Sequence, residues 1–143
     1  MASDWQMVPV ADVAIPVLGG TPKRSVSEYW GGSVKWASAR GTVGALVQLA
    51  FDMAFNQTCY GLTTKRGVSD DYLFYALTGS LQRMHNPTYG TVFETITKKT
   101  FYQWIILLPP LPEQRAIAHM LPKLISGELR VPEAEKFVEE AGV

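Results

Sequence analysis

Several residue types and patterns are scarce in this sequence, and each scarcity excludes a class of protein. The 143 residues contain one cysteine and two histidines, so an internal disulfide is excluded and the cysteine cannot by itself make a zinc site. No apolar run is long enough to span a bilayer, and the first residues lack the basic and apolar regions of a signal peptide. We therefore expect a cytoplasmic protein with no metal, no cofactor and no membrane partner.

Catalytic signatures are equally scarce. The sequence has no Walker loop, no paired metal-binding histidines and no Gly-x-Gly loop after a strand. Residues 86–89, Asn-Pro-Thr-Tyr, resemble the Asn-Pro-Pro-Tyr motif with which adenine methyltransferases hold a flipped base, but Thr88 replaces the second proline and no loop for the methyl donor is present. We interpret Asn86-Pro87 as the end of a helix. A non-catalytic binding protein is the better interpretation.

Net charge is also lacking. The chain has 13 Lys and Arg against 13 Asp and Glu, and a formal charge of zero counts against a free-standing nucleic-acid binder. The charge is unevenly spread, because residues 128–143 hold five acidic and two basic residues and leave the body of the chain mildly basic. An ordinary surface can show the same asymmetry, so this feature supports nucleic-acid binding only weakly.

The most informative stretch that is present runs from an apolar segment into a helix. Residues 105–108, Ile-Ile-Leu-Leu, predict a strand, and the proline cluster at 109–112 converts it into a helix with Pro112 at its first position. Glu113 and Gln114 suit the positive end of that helix. An apolar stripe then follows at helical spacing, and it faces either the core of this chain or a partner helix. Its members are Ile117, Met120, Leu121, Leu124 and Ile125.

Local signals place the other helices. Pro122 lacks an amide hydrogen and should kink or stop the helix in which it lies. Residues 132–142 predict a short terminal helix, with a proline at its start and a glycine at its end. Ser69 is a suitable cap for a helix that begins with Asp70 and Asp71.

Short strands and loops account for much of the rest. Residues 5–14 predict a strand followed by a short helix or turn, and residues 19–22 predict a loop in which two glycines favour unusual backbone angles. Residues 41–50 and 53–62 predict the two strands of a hairpin. In the second of these, Cys59 is expected to be a small buried apolar side chain.

Four motifs occur in an order that resembles a known family. They are Gly-Gly-Thr-Pro and Tyr-Trp-Gly-Gly within residues 19–36, Arg-Gly-Thr-Val-Gly at 40–44 followed by Asn56-Gln57, Gly-x-x-Phe-x-x-Ile-x-Lys-x-x-Phe at 90–101, and Leu-Pro-Pro-Leu-Pro-Glu-Gln-Arg-Ala-Ile-Ala at 108–118. The chain resembles the specificity (S) subunits of type I restriction-modification systems, in which a target-recognition domain passes into a long helix.

The sequence departs from that family in two places. The family usually has a long variable stretch between the tryptophan strand and the Arg-Gly-Thr-Val-Gly turn, whereas here Trp36 is followed almost directly by Arg40. Residues 121–131 resemble the extreme C-terminus of an S subunit, yet they follow Met120 at once, without the family's extended helix. The resemblance is therefore to a recognition domain that has been shortened internally.

The resemblance implies a fold and a function. The implied fold is α/β (α+β): a compact mixed-sheet target-recognition domain at residues 1–111, shortened after residue 39, followed by a helical segment at 112–143 that resembles the spacer helix and the tail. The implied function is a non-enzymatic specificity subunit, or half-subunit, of a type I system for DNA methylation and defense against foreign DNA. It would read a double-stranded DNA half-site while a methyltransferase (M) subunit modifies adenine and a separate restriction (R) subunit cleaves.

An alternative from another class stays open. The chain could be an assembly remnant that no longer reads DNA and binds only the methyltransferase or S subunits, and the missing variable stretch favours this alternative. Homodimerisation through the helical stripe is also open.

Two sets of candidate site residues follow. Cations beside glycines, turns and a short helix, together with neutral hydrogen-bonding neighbours, are the candidates for DNA contact, most of them to phosphates. These are Thr21, Lys23, Arg24, Lys35, Arg40, Lys65, Arg66, Tyr89, Thr97, Lys98 and Lys99. The candidates for partner binding lie on the helix after the proline cluster: Glu113, Arg115, Ile117, Met120, Leu121, Leu124 and Ile125.

Overall fold

The structure is a computed structural model that describes residues 4–29, 35–37, 45–50, 53–84 and 96–141. In chain order its strands are β1 (Gln6–Pro9), β2 (Ala14–Leu18), β3 (Lys35–Ala37), β4 (Met53–Phe55), β5 (Tyr60–Thr64) and β6 (Ile105–Leu108). Its α-helices are α1 (Val10–Val13), α2 (Asp70–Met84), α3 (Thr100–Gln103), α4 (Leu111–Ser126) and α5 (Val131–Ala141). The expected mixture of helices with parallel and antiparallel strands is confirmed.

The described strands pair into three two-stranded sheets. β1 pairs with β6 and β2 pairs with β5, both antiparallel, whereas β3 pairs with β4 in parallel. The short helix α1 joins β1 directly to β2, so one continuous segment contributes to two of the sheets. The predicted strand followed by a short helix near the N-terminus is confirmed.

The core lies where α1, α2, α3 and β6 meet. Full burial of a Val, Leu, Ile or Phe side chain stabilises a fold by roughly 1.5–3 kcal/mol. The buried apolar residues of this cluster are Val10, Ala11, Val13, Ala14, Leu73, Leu77, Leu81, Phe101, Trp104 and Ile106. The Trp104 indole donates to the Ser80 hydroxyl at 2.6 Å, so the polar edge of the largest core ring has a partner.

Helix α2 begins as the sequence predicts. The Ser69 hydroxyl accepts a hydrogen bond from the amide of Tyr72 at 3.3 Å, and Asp70 and Asp71 occupy the first turn. The helix extends to Met84, and the predicted stop at Asn86-Pro87 lies outside the described residues.

The predicted hairpin of residues 41–50 and 53–62 is wrong. Residues 45–50 form no strand, residues 41–44 lie outside the described part of the chain, and β4 pairs with β3. A turn at residues 56–59, closed by the Cys59 amide on the Asn56 carbonyl at 3.1 Å, separates β4 from β5. The cause is local, because the Asn56 side chain accepts hydrogen bonds from within the turn and competes with an extended backbone. Cys59 is therefore a half-buried turn residue and not a strand residue.

The transition from strand to helix at the proline cluster is confirmed, with one correction within the helix. α4 begins at Leu111 with Pro112 in its first turn, but Pro122 does not stop it. The helix continues to Ser126 and ends at Gly127, whose φ of 76° is the left-handed conformation that favours glycine. A proline inside a helix costs about 3 kcal/mol; α4 nevertheless continues through Pro122, which is exposed.

The last helix also matches its prediction. α5 spans Val131–Ala141 and packs on α4, and the predicted terminal glycine, Gly142, lies outside the described residues. In the part of the chain that the structure describes, no helix is both long and apolar enough to cross a membrane.

Candidate nucleic-acid interface

The antiparallel pair of β2 and β5 has two ends, and the predicted site residues lie at both. Leu18 faces Tyr60 at one end and Ala14 faces Thr64 at the other. At about 3.4 Å per residue, these two ends are about 14 Å apart. We call residues 19–26 and 56–59 the loop end. We call residues 65–71, with the first turn of α4 at residues 111–115, the helix end.

The loop end is held together by its backbone. The amides of Gly19 and Gly20 each donate a hydrogen bond of 3.0 Å, to the carbonyls of Cys59 and Phe55 respectively. A Cβ atom on Gly19 would lie 2.2 Å from the carbonyl oxygen of Asn56 and 2.4 Å from that of Phe55. Gly19 is therefore required for close packing of two backbone segments. The expectation of unusual backbone angles is wrong, since the positive-φ glycines of the described residues are Gly67 and Gly127.

Three predicted DNA-contact residues follow Gly19 at the loop end and are exposed. Lys23 and Arg24 lie in a turn closed by the Val26 amide on the Lys23 carbonyl at 3.2 Å. The Thr21 hydroxyl donates to the side-chain oxygen of Gln57, which is also exposed. Gln57 was not among the predicted site residues. Its partner lies 36 positions away in the sequence, so no local pattern could have identified the pair.

At the helix end, the predicted cation Lys65 contacts the protein itself. Its ammonium donates to the carbonyl of Ala11 in α1 at 2.9 Å, and its amide donates to the carbonyl of Val13 at 2.8 Å. Cations near a helix C-terminus interact favourably with the last carbonyls. Lys65 therefore joins β5 to the core, and this structural role reduces its availability for a phosphate.

A cleft of about 540 Å³ opens at the helix end. It is lined by Gln48, by residues 64–71, and by Leu111 and Arg115 of α4. Gln48 donates to the carboxylate of Asp71 at 2.6 Å, and the Thr64 hydroxyl donates to that of Asp70. The cleft thus brings Arg66, a predicted DNA contact, beside Arg115, a predicted partner contact, and both cations are exposed near two carboxylates.

Lys98 and Lys99 directly precede the short helix α3, as the sequence predicts. Both are exposed, and the hydroxyl of buried Thr100 accepts the amide of Thr97 at 2.9 Å and fixes the turn that carries them. Within α3 the ring of Phe101 packs edge-on against Tyr60, the β5 residue nearest the loop end, with 5.2 Å between ring centres.

Three predicted DNA contacts cannot be placed in full. Arg40 and Tyr89 lie outside the described residues. Lys35 lies in β3, where the structure describes its backbone only.

Helix α4 carries the predicted partner residues, and its stripe is used in two ways. Met120 is buried within this chain, Ile117, Leu121 and Leu124 are half-buried, and Ile125 is 76% exposed. Met120 therefore contributes to the core of this chain, whereas Ile125 remains accessible to a partner. Glu113, also predicted to bind a partner, accepts a hydrogen bond from the indole of Trp5.

The sequence did not reveal the part that Gln114 plays at the helix end. This side chain is 1% exposed. Its oxygen accepts the Ser69 amide at 2.8 Å, and its nitrogen donates to the carbonyls of Pro109 at 2.8 Å and Gly67 at 3.2 Å. Gln114 thereby fastens the first turn of α4 to the turn before α2. A glutamine beside a helix start also suits the dipole, so its identity gave no signal for burial.

Tyr72 connects the helix end to β6. Its hydroxyl donates to the carbonyl of Leu107 at 2.6 Å, and burial raises the pKa of the phenol from its ordinary 10.0. In the described ranges, no cluster of three His, Cys, Asp or Glu side chains could hold a metal ion.

Comparison with known proteins identifies what this arrangement resembles. The sequence model described as type I restriction modification DNA specificity domain matches residues 31–135, more than half of the chain. A protein of Methanocaldococcus jannaschii assigned as the type I restriction enzyme MjaX specificity subunit is 33% identical over 100 residues. That alignment covers 69% of this chain and 23% of the relative.

Solved structures show the same fold at lower identity. The HsdS subunit of Thermoanaerobacter tengcongensis matches with a TM-score of 0.70 at 18% identity, over 89% of this chain and 39% of that one. A chain from a structure that addresses complex assembly and conformational transition of the type I R-M system matches with a TM-score of 0.62 at 19% identity, over 97% of this chain and 43% of that one. The chain thus spans less than half the length of each of these proteins.

Proposed function

Because this chain belongs to the family of type I restriction modification DNA specificity domains, we propose that it is a non-catalytic DNA-specificity module that reads one half-site in double-stranded DNA. In this proposal a methyltransferase subunit modifies adenine and a restriction subunit, engaged indirectly, cleaves. The observation that carries the proposal is the family match, which spans β3 through the start of α5. The site geometry supports it, and the loop end is the surface best suited to DNA.

The loop end suits DNA because of what it exposes. Lys23 and Arg24 supply positive charge for phosphates, and Thr21 and Gln57 expose neutral hydrogen-bonding groups at the same end. The segments that build this end, residues 19–26 and 56–59, contain no Asp or Glu, and exposed Glu28 lies two positions beyond the first of them. No carboxylate from these segments would therefore repel the DNA backbone.

The lysines before α3 extend the proposed phosphate-binding surface. We expect the Lys98→Ala/Lys99→Ala double variant to weaken DNA binding and to flatten its salt dependence, since removing one phosphate contact reduces the slope of log K against log salt by about 0.9. An unchanged slope would refute the assignment of these two residues.

The proposal divides the chain between two tasks. Residues 1–111 form the recognition part, shortened after residue 39, and residues 112–143 form the helical part, whose exposed positions such as Ile125 meet the methyltransferase or a second copy of the chain. Arg115 lies beside the helix-end cleft, where an acidic group of a partner could reach it.

A binding titration tests the proposal. The purified chain is mixed with a pool of random duplexes, alone and together with a type I methyltransferase subunit, and bound sequences are recovered and titrated at several salt concentrations. Enrichment of a defined half-site is the expected result. If the chain binds the methyltransferase and no duplex is ever enriched, the chain is an assembly partner without a reading function and the proposal is wrong.

A further inference from the structure

The turn between β4 and β5 has a rigid frame. The Cys59 amide donates to the Asn56 carbonyl at 3.1 Å, which places Gln57 and Thr58 at the tip of a tight turn. Asn56 is 7% exposed, and its side-chain oxygen accepts the Thr58 hydroxyl at 2.8 Å and the Cys59 thiol at 3.2 Å. The conformation of the turn is therefore fixed from within, and Gln57 projects from it.

The loop at residues 19–22 holds this turn from the other side. The hydrogen bonds from Gly19 and Gly20 reach Cys59 and Phe55, the residues that flank the tip, and there is no room for a Cβ atom on Gly19. A side chain that contacts DNA must be held in place by rigid elements to read a base. Two backbone segments in direct contact provide that rigidity.

The Gln57 carboxamide is oriented before any ligand arrives. Its oxygen accepts the Thr21 hydroxyl, and this bond turns its nitrogen, a donor of two hydrogens, away from Thr21. The oxygen keeps a second lone pair, so the amide offers a donor and an acceptor side by side. That pair matches the N7 and N6 groups of adenine in the major groove.

The surroundings of the tip separate neutral reading groups from charge. Gln57, Thr58 and Thr21 are exposed and neutral, whereas the cations Lys23 and Arg24 follow in the next turn. Protein–DNA interfaces commonly use cations to position the protein on phosphates and neutral amides to read bases. The loop end therefore exposes both cations and neutral hydrogen-bonding side chains.

We propose that the Gln57 carboxamide, fixed at the tip of the 56–59 turn and oriented by Thr21, reads an adenine edge in the major groove of the target half-site. This inference rests on the proposed DNA-reading function and adds a reading residue to it. Thr21 acts as a positioning residue for the Gln57 amide.

The test measures discrimination between single base pairs. The duplex selected by the wild-type chain, with the methyltransferase subunit present, is titrated beside a set of duplexes that each carry one changed base pair, at two or more salt concentrations. The variants are Gln57→Ala, Thr21→Val and Gln82→Ala, the last being an exposed glutamine on α2 that serves as the matched control. Circular dichroism and a urea midpoint establish that each variant is folded.

For Gln57→Ala we expect discrimination at one A·T pair to decrease by a factor of about 5 to 150, the range of a bidentate amide–adenine contact. The salt slope should be unchanged. Thr21→Val should reduce discrimination at the same base pair by a smaller factor, and a Thr21→Val/Gln57→Ala double variant should discriminate no worse than Gln57→Ala. Gln82→Ala should match the wild type.

The outcomes separate the two proposals. If wild type selects a half-site and Gln57→Ala discriminates equally well at every base pair, the reading role of Gln57 is wrong and the proposed function stands. If a folded Gln57→Ala weakens binding equally on all duplexes, Gln57 contacts the DNA backbone and the base-reading inference is again wrong. If the wild type enriches no sequence, both proposals fail.

Discussion

The two ends of the β2–β5 pair are built from similar residues that are used in opposite ways. At the loop end, backbone contacts through Gly19 and Gly20 form the frame, and the side chains of Thr21 and Gln57 remain exposed. At the helix end, side chains form the frame. Lys65 binds the carbonyl of Ala11 there, and Gln114 binds three backbone groups.

This difference shows why a cation in the sequence is not by itself a binding residue. Lys23 and Lys65 are each the first residue of a turn. The sequence made both of them candidates for DNA contact. Only the structure shows that the Lys65 ammonium is engaged by a carbonyl 54 residues away. In this proposal the loop end is the recognition surface, because it exposes cations beside neutral hydrogen-bonding groups, and the helix end is the joint between the recognition part and α4.

The largest expected effect is at the helix end. Gln114→Ala should lower the free energy of unfolding by about 3 kcal/mol, since it leaves the half-buried Ser69 amide and the carbonyl of buried Pro109 without their partner at about 1–3 kcal/mol each. A urea unfolding curve measures the change, with the exposed Gln82→Ala as the control expected to stay within about 0.5 kcal/mol. Equal midpoints for the two variants would show that the joint does not depend on Gln114.

A pair of adjacent glycines tests the frame of the loop end. Gly19→Ala should cost roughly 1–3 kcal/mol, because its methyl group would overlap two backbone oxygens that cannot easily move. Gly20→Ala is the matched control, since nothing lies within 4 Å of its Cβ position. Both variants are compared by thermal unfolding, and a Gly19→Ala chain as stable as Gly20→Ala would contradict the close packing at this end.

Tyr72 gives a smaller effect with a defined pH dependence. Tyr72→Phe removes the hydrogen bond to Leu107 and should cost about 1 kcal/mol near neutral pH. Burial raises the pKa of this phenol in the folded protein above its unfolded value, so its contribution to stability is present below pH 10 and is lost as the pH rises above it.

The stability difference between wild type and Tyr72→Phe should therefore narrow above pH 10. Urea midpoints measured near neutral pH and at an alkaline pH, for both proteins in the same buffer series, provide the comparison. A stability difference between wild type and Tyr72→Phe that widens as the pH rises would contradict a raised pKa of the Tyr72 phenol.

The sequence predicted those features that depend on neighbouring residues. Ser69 with its two acidic neighbours located the start of α2, and the proline cluster located the passage from β6 to α4. These signals lie within a few residues of the element they define, so the chain carries them locally.

Features that depend on distant partners were not predictable in this way. One local signal was also missed, because the Asn56 side chain accepts hydrogen bonds within the turn that divides residues 53–62. Pro122 looked like a helix end, but α4, which packs on α2, continues beyond it to Ser126. The roles of Lys65, Gln57 and Gln114 all arise from contacts that span at least 36 positions, other than the bond from Gln114 to Pro109.

The most direct test of the account compares the salt dependence of DNA binding after changes at each end. The wild-type chain, the Lys23→Ala/Arg24→Ala double variant and Lys65→Met are titrated with the selected duplex over a series of salt concentrations. We predict that Lys23→Ala/Arg24→Ala lowers the slope of log K against log salt by roughly 1 to 2, and that Lys65→Met lowers stability without changing the slope. An unchanged slope for Lys23→Ala/Arg24→Ala with a reduced slope for Lys65→Met would place the DNA at the helix end and contradict the account.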